Sequence, residues 1–548
     1  MKQIAIISDF NINLFERYLK LNECEYEFQG LPFGQVFQSL LSEDKFDSSI
    51  IWTLPESISP TFKQALQYNE IIEDHVLSEV DAYSEALIKF TDNQDFSFIV
   101  SWAFLDNFNG HEMQNWKEGT GIQSILSKMN LRLAENLKDS DNLFILDSQR
   151  WVFANDSKIS TKLWYSAKIP FSNDVFLRSS EAIHASIKAL SGKSKKLIIL
   201  DLDNTLWGGV VGETGWQGIN LGGHDISGEA FVDFQLSLKG LTRRGIQLAI
   251  VSKNDEEVAL EAIRNHPSMV LKEDDFAGWK INWNDKAENV YQLVDELNLG
   301  LESVVFIDDN PAERMRVKDA FPDVLVPDWP KDITSYTNAL NNLSCFYNPS
   351  ISKEDRERTA MYVAERERNN KKSTTSKANW LSELNTEIET NILVEENISR
   401  VTQLFNKTNQ LNLSTRRLSL SELKDWNSNS GNSIYTFSVS DRFGDLGLVG
   451  ILGTSVKKEK GYITDFILSC RAMGREVEKS MFYFAVNLFK EKEVNLIEAQ
   501  YLPTERNRPT LDVLNSLSFK EITENKFIID CDPSSLKPKY TTIVSSRR

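Results

Sequence analysis

Lys195-Lys196-Leu197-Ile198-Ile199-Leu200-Asp201-Leu202-Asp203-Asn204-Thr205-Leu206-Trp207 decides how this chain is read. An apolar run bounded by lysines predicts a strand buried in a parallel sheet. Two carboxylates then follow at its C-terminal end, where open α/β sheets place their chemistry. Alternation along an extended backbone puts Asp201 and Asp203 on one side, so they repel unless a cation lies between them. A bound Mg2+ removes that objection.

Three later stretches extend the pattern. Gly245-Ile246-Gln247-Leu248-Ala249-Ile250-Val251-Ser252 predicts a second strand ending in a hydroxyl, and Asp285-Lys286-Ala287 places a lysine at a helix start. Ser303-Val304-Val305-Phe306-Ile307-Asp308-Asp309-Asn310-Pro311 predicts a third strand ending in paired acids. In this order the four stretches resemble the motifs of the haloacid dehalogenase (HAD) phosphotransferases. Each residue type has a task in phosphoryl transfer. By that resemblance Asp201 would attack phosphorus, and Asp203 would protonate the leaving oxygen and later activate water. Ser252 and Lys286 would hold the phosphoryl oxygens. The metal set expected is Asp201, Asp203, Asp308 and Asp309, and the resemblance implies Asp309 as the direct ligand of the last pair.

Composition bounds the rest. A chain of 548 residues is too long for one core, and 41% hydrophobic with 26% charged residues is the balance of a soluble globular protein. No apolar stretch is long enough to span a bilayer and no leader cleavage site follows the first strand, so a cytoplasmic protein without a membrane partner is expected. Cys24, Cys345, Cys470 and Cys531 are scattered without Cys-x-x-Cys spacing, which argues against a disulfide framework or a zinc site. A net charge of −18 argues against nucleic acid, whose phosphates need a basic counter-surface.

The expected fold class is multidomain α/β. Residues 1 to 190 alternate short apolar runs (Ile4 to Ile7, Ser48 to Trp52, Phe96 to Val100, Leu143 to Leu146) with helical patterns, which predicts a parallel sheet. Ser8-Asp9-Phe10-Asn11 is faintly similar to the nucleophile block of SGNH esterases. Asp147 is followed by Arg150 where those enzymes need a histidine, and His184 lacks the aspartate three residues before it, with Glu181 at that place, so an SGNH-like domain without hydrolase activity is expected. His75 and His111 are read as surface or loop histidines.

Residues 192 to 330 form the expected Rossmann-like phosphatase core. Neither the gap from Thr205 to Ser252 nor that from Ser252 to Lys286 holds a separately folding unit, so the core is capless. Residues 331 to 388 are expected to be a helical connector, with a solvated helix from Lys353 to Lys372 and a loop from Lys371 to Ser376. From 389 to 540 strands at Ser433 to Val439, Leu446 to Gly453 and Gly461 to Leu468 precede a helix from Arg475 to Lys490 and a strand at Asn495 to Gln500. With Cys470-Arg471-Ala472-Met473-Gly474-Arg475-Glu476 at the strand-to-helix junction, this resembles the GNAT acyltransferase fold. The loop of that fold turns backbone N–H groups toward the pyrophosphate of coenzyme A. Glu476 stands where a small residue is expected. A carboxylate there opposes a pyrophosphate and leaves open a GNAT-shaped domain that binds something else.

The whole pattern also resembles one family. Asp201 to Glu213, Ser252-Lys253-Asn254-Asp255-Glu256, Phe306 to Pro311, Lys407-Thr408-Asn409-Gln410-Leu411-Asn412-Leu413, Asp441-Arg442-Phe443-Gly444-Asp445 and Ser469 to Arg475 look like the FkbH-like proteins, HAD subfamily IIIC. That resemblance implies a phosphatase and acyltransferase whose substrate is a small phosphorylated acyl donor of the 1,3-bisphosphoglycerate type. It also implies an acyl carrier protein as partner and Cys470 as a transient thioester carrier. Alternatives are a plain phosphatase acting on a sugar phosphate in surface polysaccharide synthesis, or a non-catalytic scaffold. Intact Asp201, Asp203, Lys286 and Asp309 argue against the scaffold.

Overall fold

The computed structural model describes residues 2–21, 25–42, 44–70, 72–103, 112–152, 161–297, 299–351, 359, 363, 377–457, 460–517 and 519–545. Cys24, His111, Lys371 to Ser376 and nearly all of the helix expected from Lys353 lie outside them. The chain divides into two compact units, 1–187 and 188–548.

In the first unit β1 (Lys2–Ser8), β2 (Tyr26–Gly30), β3 (Ser48–Trp52), β4 (Phe96–Val100) and β5 (Leu143–Leu146) form a sheet in the order β2-β1-β3-β4-β5, parallel throughout. The apolar runs became strands because both their faces are covered. Ile7, Ile51 and Ile99 pack under the helices Glu73–Thr91 and Ile122–Leu137. Phe10, Phe15, Trp52, Phe171 and Phe176 form an aromatic cluster. The sequence reading missed β2, whose Tyr-Glu-Phe-Gln-Gly has a single fully buried residue and so no apolar run to announce it.

The order of this sheet reverses between β1 and β3, a usual place for a ligand. The Ser8 hydroxyl there accepts from Phe10 N at 3.2 Å, and His184 is engaged with the Leu19 carbonyl at 3.0 Å. A turn and a helix contact thus occupy the groups a serine hydrolase would couple. The Asp9 carboxylate accepts from Leu54 N at 2.9 Å. Burial pushes its carboxyl from 3.8 up to about 6, against the opposing hydrogen bonds of Ser57 and Leu54.

The sign of the resulting pH dependence follows. The folded state holds the Asp9 proton more tightly than the unfolded state, so this group's contribution to stability is greatest below the unfolded value, declines as pH rises toward 6, and is constant above. Asp9→Asn keeps an oxygen for Leu54 N and removes the buried charge. It is expected to stabilise this unit at pH 7 by about 1–3 kcal/mol and to flatten its stability between the two pKa values. Urea unfolding of both full-length proteins across that range, followed by hydrogen exchange in residues 1–187, checks this. Parallel pH curves for parent and variant would contradict it.

The second unit opens with β6 (Leu197–Leu200), β7 (Gln247–Ser252), β8 (Phe276–Ile281) and β9 (Val304–Ile307), parallel in the order β8-β7-β6-β9. Every residue of β6, β7 and β9 is buried. Leu200, Ile250 and Val305 face one apolar cluster, and Ile199, Val251 and Phe306 face the other. Between Leu206 and Val251, and between Lys253 and Asp285, there are helices, a short strand pairing and β8, with no inserted folding unit. The core is capless, as the spacing required. Residues expected to begin the connector are part of this core: Tyr336, Leu340 and Phe346 are buried against Trp329 and Phe234.

The remaining strands are β10 (Thr386–Ile392), β11 (Leu411–Asn412), β12 (Asn432–Asp441), β13 (Gly444–Lys457), β14 (Lys460–Leu468), β15 (Leu496–Gln500), β16 (Lys520–Thr523), β17 (Lys526–Asp530) and β18 (Thr541–Ser545). They form one mixed sheet in the order β16-β17-β15-β14-β13-β12-β10-β18. The helix Val477–Glu491 covers one face through Met481, Phe482 and Phe489, and Glu395–Lys407 covers the other through Val401 and Phe405. β14 and β15 run parallel but pair only from Lys460↔Leu496 to Ile463↔Ala499. Beyond that point β11 pairs with the same edge of β14, at Leu468 and Ile467.

Candidate active site

The C-terminal ends of the core strands bring the expected residues together. β6 ends at Leu200, and Asp201 N then donates to the Ile307 carbonyl at 3.0 Å, which holds the backbones of Asp201 and Asp308 side by side. Asp201, Asp308 and Asp309 each offer a carboxylate oxygen, all within 4.8 Å of one another. Lys286 is the first residue of the helix Lys286–Glu296, capped by Asp285, whose carboxylate accepts from Glu288 N. From there its ammonium reaches Asp201 Oδ1 at 3.0 Å and Asp308 Oδ2 at 2.7 Å. Ser252 is the buried last residue of β7.

The electrostatics are those of a crowded anionic site. Burial alone pulls the Lys286 ammonium down, and Asp201 and Asp308 together outweigh it, so the lysine is held above its ordinary value and stays charged. Burial, with the Asp201 charge added, pushes the Asp308 carboxyl up to about 6 despite the adjacent lysine. Burial and then Asp201 also raise Asp309. Three hard oxygen donors around one point, short of positive charge, fit Mg2+.

The Asp203 carboxylate is not a member of this cluster, and its expected place as a side-chain metal ligand is corrected. Alternation fails because the strand stops at Leu200. The chain then turns, with Leu206 N donating to the Leu202 carbonyl at 2.7 Å and Asn204 adopting φ +55°. The turn aims Asp203 at other donors: Trp207 Nε1 at 2.8 Å, Val211 N at 3.0 Å and Asn254 Nδ2 at 2.9 Å. Burial raises its carboxyl pKa and these hydrogen bonds oppose the rise. A carboxyl beside the nucleophile, oriented by three donors and shifted toward protonation, is arranged for acid–base work.

The sequence reading assigned no role to the residues that do this positioning. Asn254 and Trp207 orient Asp203, and the Thr205 hydroxyl accepts from Asp309 N at 3.2 Å. Arg314 donates to the carbonyls of Asp308 and Asp309 at 2.7 and 2.8 Å. Their neighbours in sequence were the available signal, since Trp207 and Asn254 stand within the motif stretches themselves. Cys470 does not join this cluster among the described contacts. It follows β14 in the other sheet, half-buried between Leu468 and Ala472 of that sheet's core.

No family model and no curated protein matches the sequence. Among solved structures, the chain is similar to the N-terminal part of protein BF1531 from Bacteroides fragilis, which contains a phosphatase domain complexed with Mg. Identity is 28% and the TM-score 0.58, over 64% of this chain and 94% of that one. Spermidine N-acetyltransferase from Vibrio cholerae, in complex with CoA and spermine, matches 26% of this chain and 95% of its own at 12% identity and TM-score 0.21. PaiA N-acetyltransferase from Thermoplasma acidophilum, in complex with coenzyme A, matches 26% and 97% at 16% identity and TM-score 0.20. The likeness to that Mg-complexed phosphatase domain extends to the fold, and in this chain the clustered carboxylates stand at the C-terminal ends of the parallel core strands.

Proposed function

We propose that this chain is a Mg2+-dependent phosphatase that also moves a small hydroxyacyl unit from a phosphorylated donor to an acyl carrier protein. The carrying observation is the convergence of Asp201, Asp308 and Asp309 within 4.8 Å, with Lys286 beside them. Asp201 attacks phosphorus, and the bond from phosphorus to the leaving oxygen breaks as Asp203 gives that oxygen its proton. Asp203, now ionised, takes a proton from water, whose oxygen attacks the aspartyl-phosphate and frees inorganic phosphate and Asp201. Lys286 and Ser252 hold the phosphoryl oxygens through both steps. Asp201, Asp308 and Asp309 would hold Mg2+, which supplies neutralising charge to the phosphoryl group.

A donor that carries both an acyl phosphate and a phosphate ester gives the two halves of the chain separate work. The ester is the substrate of the aspartate site. The acyl phosphate is already activated, so a Cys470 thiolate attacks its carbonyl carbon and the carbon–oxygen bond to phosphate breaks. The carrier thiol then takes the acyl group and returns the cysteine. Cys470 is favoured over the other described thiols. Burial pushes Cys345 up to about 12 and raises Cys531, whose Sγ donates to the Val486 carbonyl at 3.2 Å.

The test incubates the full chain with a phosphorylated three-carbon acyl phosphate, Mg2+ and a phosphopantetheinylated carrier, and weighs both proteins by mass spectrometry. Cys470→Ala is expected to abolish acyl loading of the carrier while phosphate release stays within a few-fold of the parent. Cys345 and Cys531 should each be replaceable without that loss. Loading at the parent rate in Cys470→Ala rules out the thioester, and phosphate release without loading on any carrier leaves a plain phosphatase.

A further inference from the structure

The C-terminal sheet has the two features by which a GNAT-type fold holds coenzyme A: a pair of parallel strands that part, and a loop leading into a helix after the first of them. A pantetheine arm lies in such a split as an added strand would, and a pyrophosphate takes the loop amides. Both places can be followed residue by residue.

The split is filled by the chain. Beyond Ile463 the edge of β14 is paired with Leu411 and Asn412, and Leu413 N donates to the Phe466 carbonyl at 3.0 Å. On the far side Leu502 N, just past β15, donates to the Leu413 carbonyl at 3.0 Å. One segment therefore bridges both parted strands. It is fastened there by Thr510 Oγ1, which accepts from Asn412 N at 3.1 Å, and by Asn507 Nδ2, which donates to the Asn412 carbonyl at 3.0 Å. Leu411, Asn412 and Leu413 are completely buried.

The loop is filled as well. Gly474 N donates to the Glu478 carboxylate at 2.7 Å, so an acid of the following helix already sits where an incoming anion would sit. Glu476 adopts φ +63°, a left-handed conformation that is strained for a non-glycine residue. Its carboxylate accepts from Lys539 N at 3.0 Å and Tyr540 N at 3.2 Å, and these bonds hold it in that conformation. Arg475 of the loop faces inward to Asp441 at 3.1 Å, with both side chains out of solvent. Two carboxylates repel a pyrophosphate, and an arginine turned inward to its own partner does not offset them.

We infer that the C-terminal domain does not take coenzyme A, nor any cofactor that presents a pantetheine arm with a pyrophosphate head, because the strand edge and the loop amides that would hold them are used by the chain itself. The inference does not depend on the chemistry proposed at Asp201, and its test involves no phosphate release.

The test is calorimetric titration of the full-length protein with coenzyme A at millimolar concentration, paired with hydrogen exchange. No saturable heat is expected. The Leu413 and Gly474 amides are expected to be protected in the free protein and unchanged by the cofactor. Saturable binding that alters exchange in residues 411–413 or 474–478 would overturn the inference. So would rapid exchange of the Leu413 amide in the free protein, since the segment would then not be seated in the split.

Discussion

Asp201→Asn is expected to lower phosphate release by a factor on the order of 10³ or more while leaving the fold intact. The amide matches the carboxylate in shape but does not attack phosphorus. It also takes one unit of negative charge from the cluster with Asp308 and Asp309. The direction of the stability change separates this loss from misfolding. Asp201 adds to the repulsion that raises both Asp308 and Asp309, so without divalent cation the variant should melt no lower than the parent. Release of phosphate from a generic aryl phosphate with Mg2+, alongside thermal melts with and without the ion, measures both. Turnover within a few-fold of the parent would remove Asp201 as the nucleophile.

Replacing Lys286 has the opposite effect on stability. Its side chain is 4% exposed and its ammonium serves two carboxylates, one of them fully buried. Lys286→Ala leaves Asp201 and Asp308 close together in a buried site with no counter-charge, a loss of about 3–5 kcal/mol. The same carboxylates then attract a divalent cation more strongly, so Mg2+ should raise the melting temperature of the variant more than that of the parent. Phosphate release should also fall by at least about 10²-fold, because a positive group facing the phosphoryl oxygens is gone. A variant that loses less than about 1 kcal/mol and gains nothing extra from Mg2+ would show that the lysine is not the counter-charge of this site.

These two substitutions act on residues legible in the sequence for one physical reason. Each motif residue of the core stands directly after a strand buried on both faces, and such strands are near-continuous apolar runs. The apolar runs within Lys195–Trp207 and Ser303–Pro311 hold the strands Leu197–Leu200 and Val304–Ile307, and with them the acids that follow. Lys286 was placed by a helix start, where Asp285 caps the first turn. The spacing between motifs also sufficed to exclude a cap, since too few residues intervene to fold alone.

Legibility ended where the chain stopped being periodic. Extending strand alternation past Leu200 put Asp203 beside Asp201 at one ion. The turn at Asn204 sends it to Trp207, Val211 N and Asn254 instead. Periodicity carries no information about a left-handed residue in a loop. β2 escaped because its single buried side chain leaves no pattern. The connector assignment failed from Ile333 to Phe346, since widely spaced aromatics such as Tyr336 and Phe346 bury themselves only against partners distant in sequence.

By itself, then, the sequence determined the class of the fold, the parallel strands of the phosphatase core and the acids at their ends, because local periodicity and burial on both faces are written in consecutive residues. Only the tertiary structure decided which carboxylates share a point in space, which way Asp203 turns, and that Leu411 to Leu413 pair along the edge of β14 while Glu478 takes the Gly474 amide. Those outcomes depend on hydrogen bonds between residues far apart in the chain, such as Leu413 with Phe466 and Leu502, and no short-range pattern encodes which distant partner a backbone group will meet.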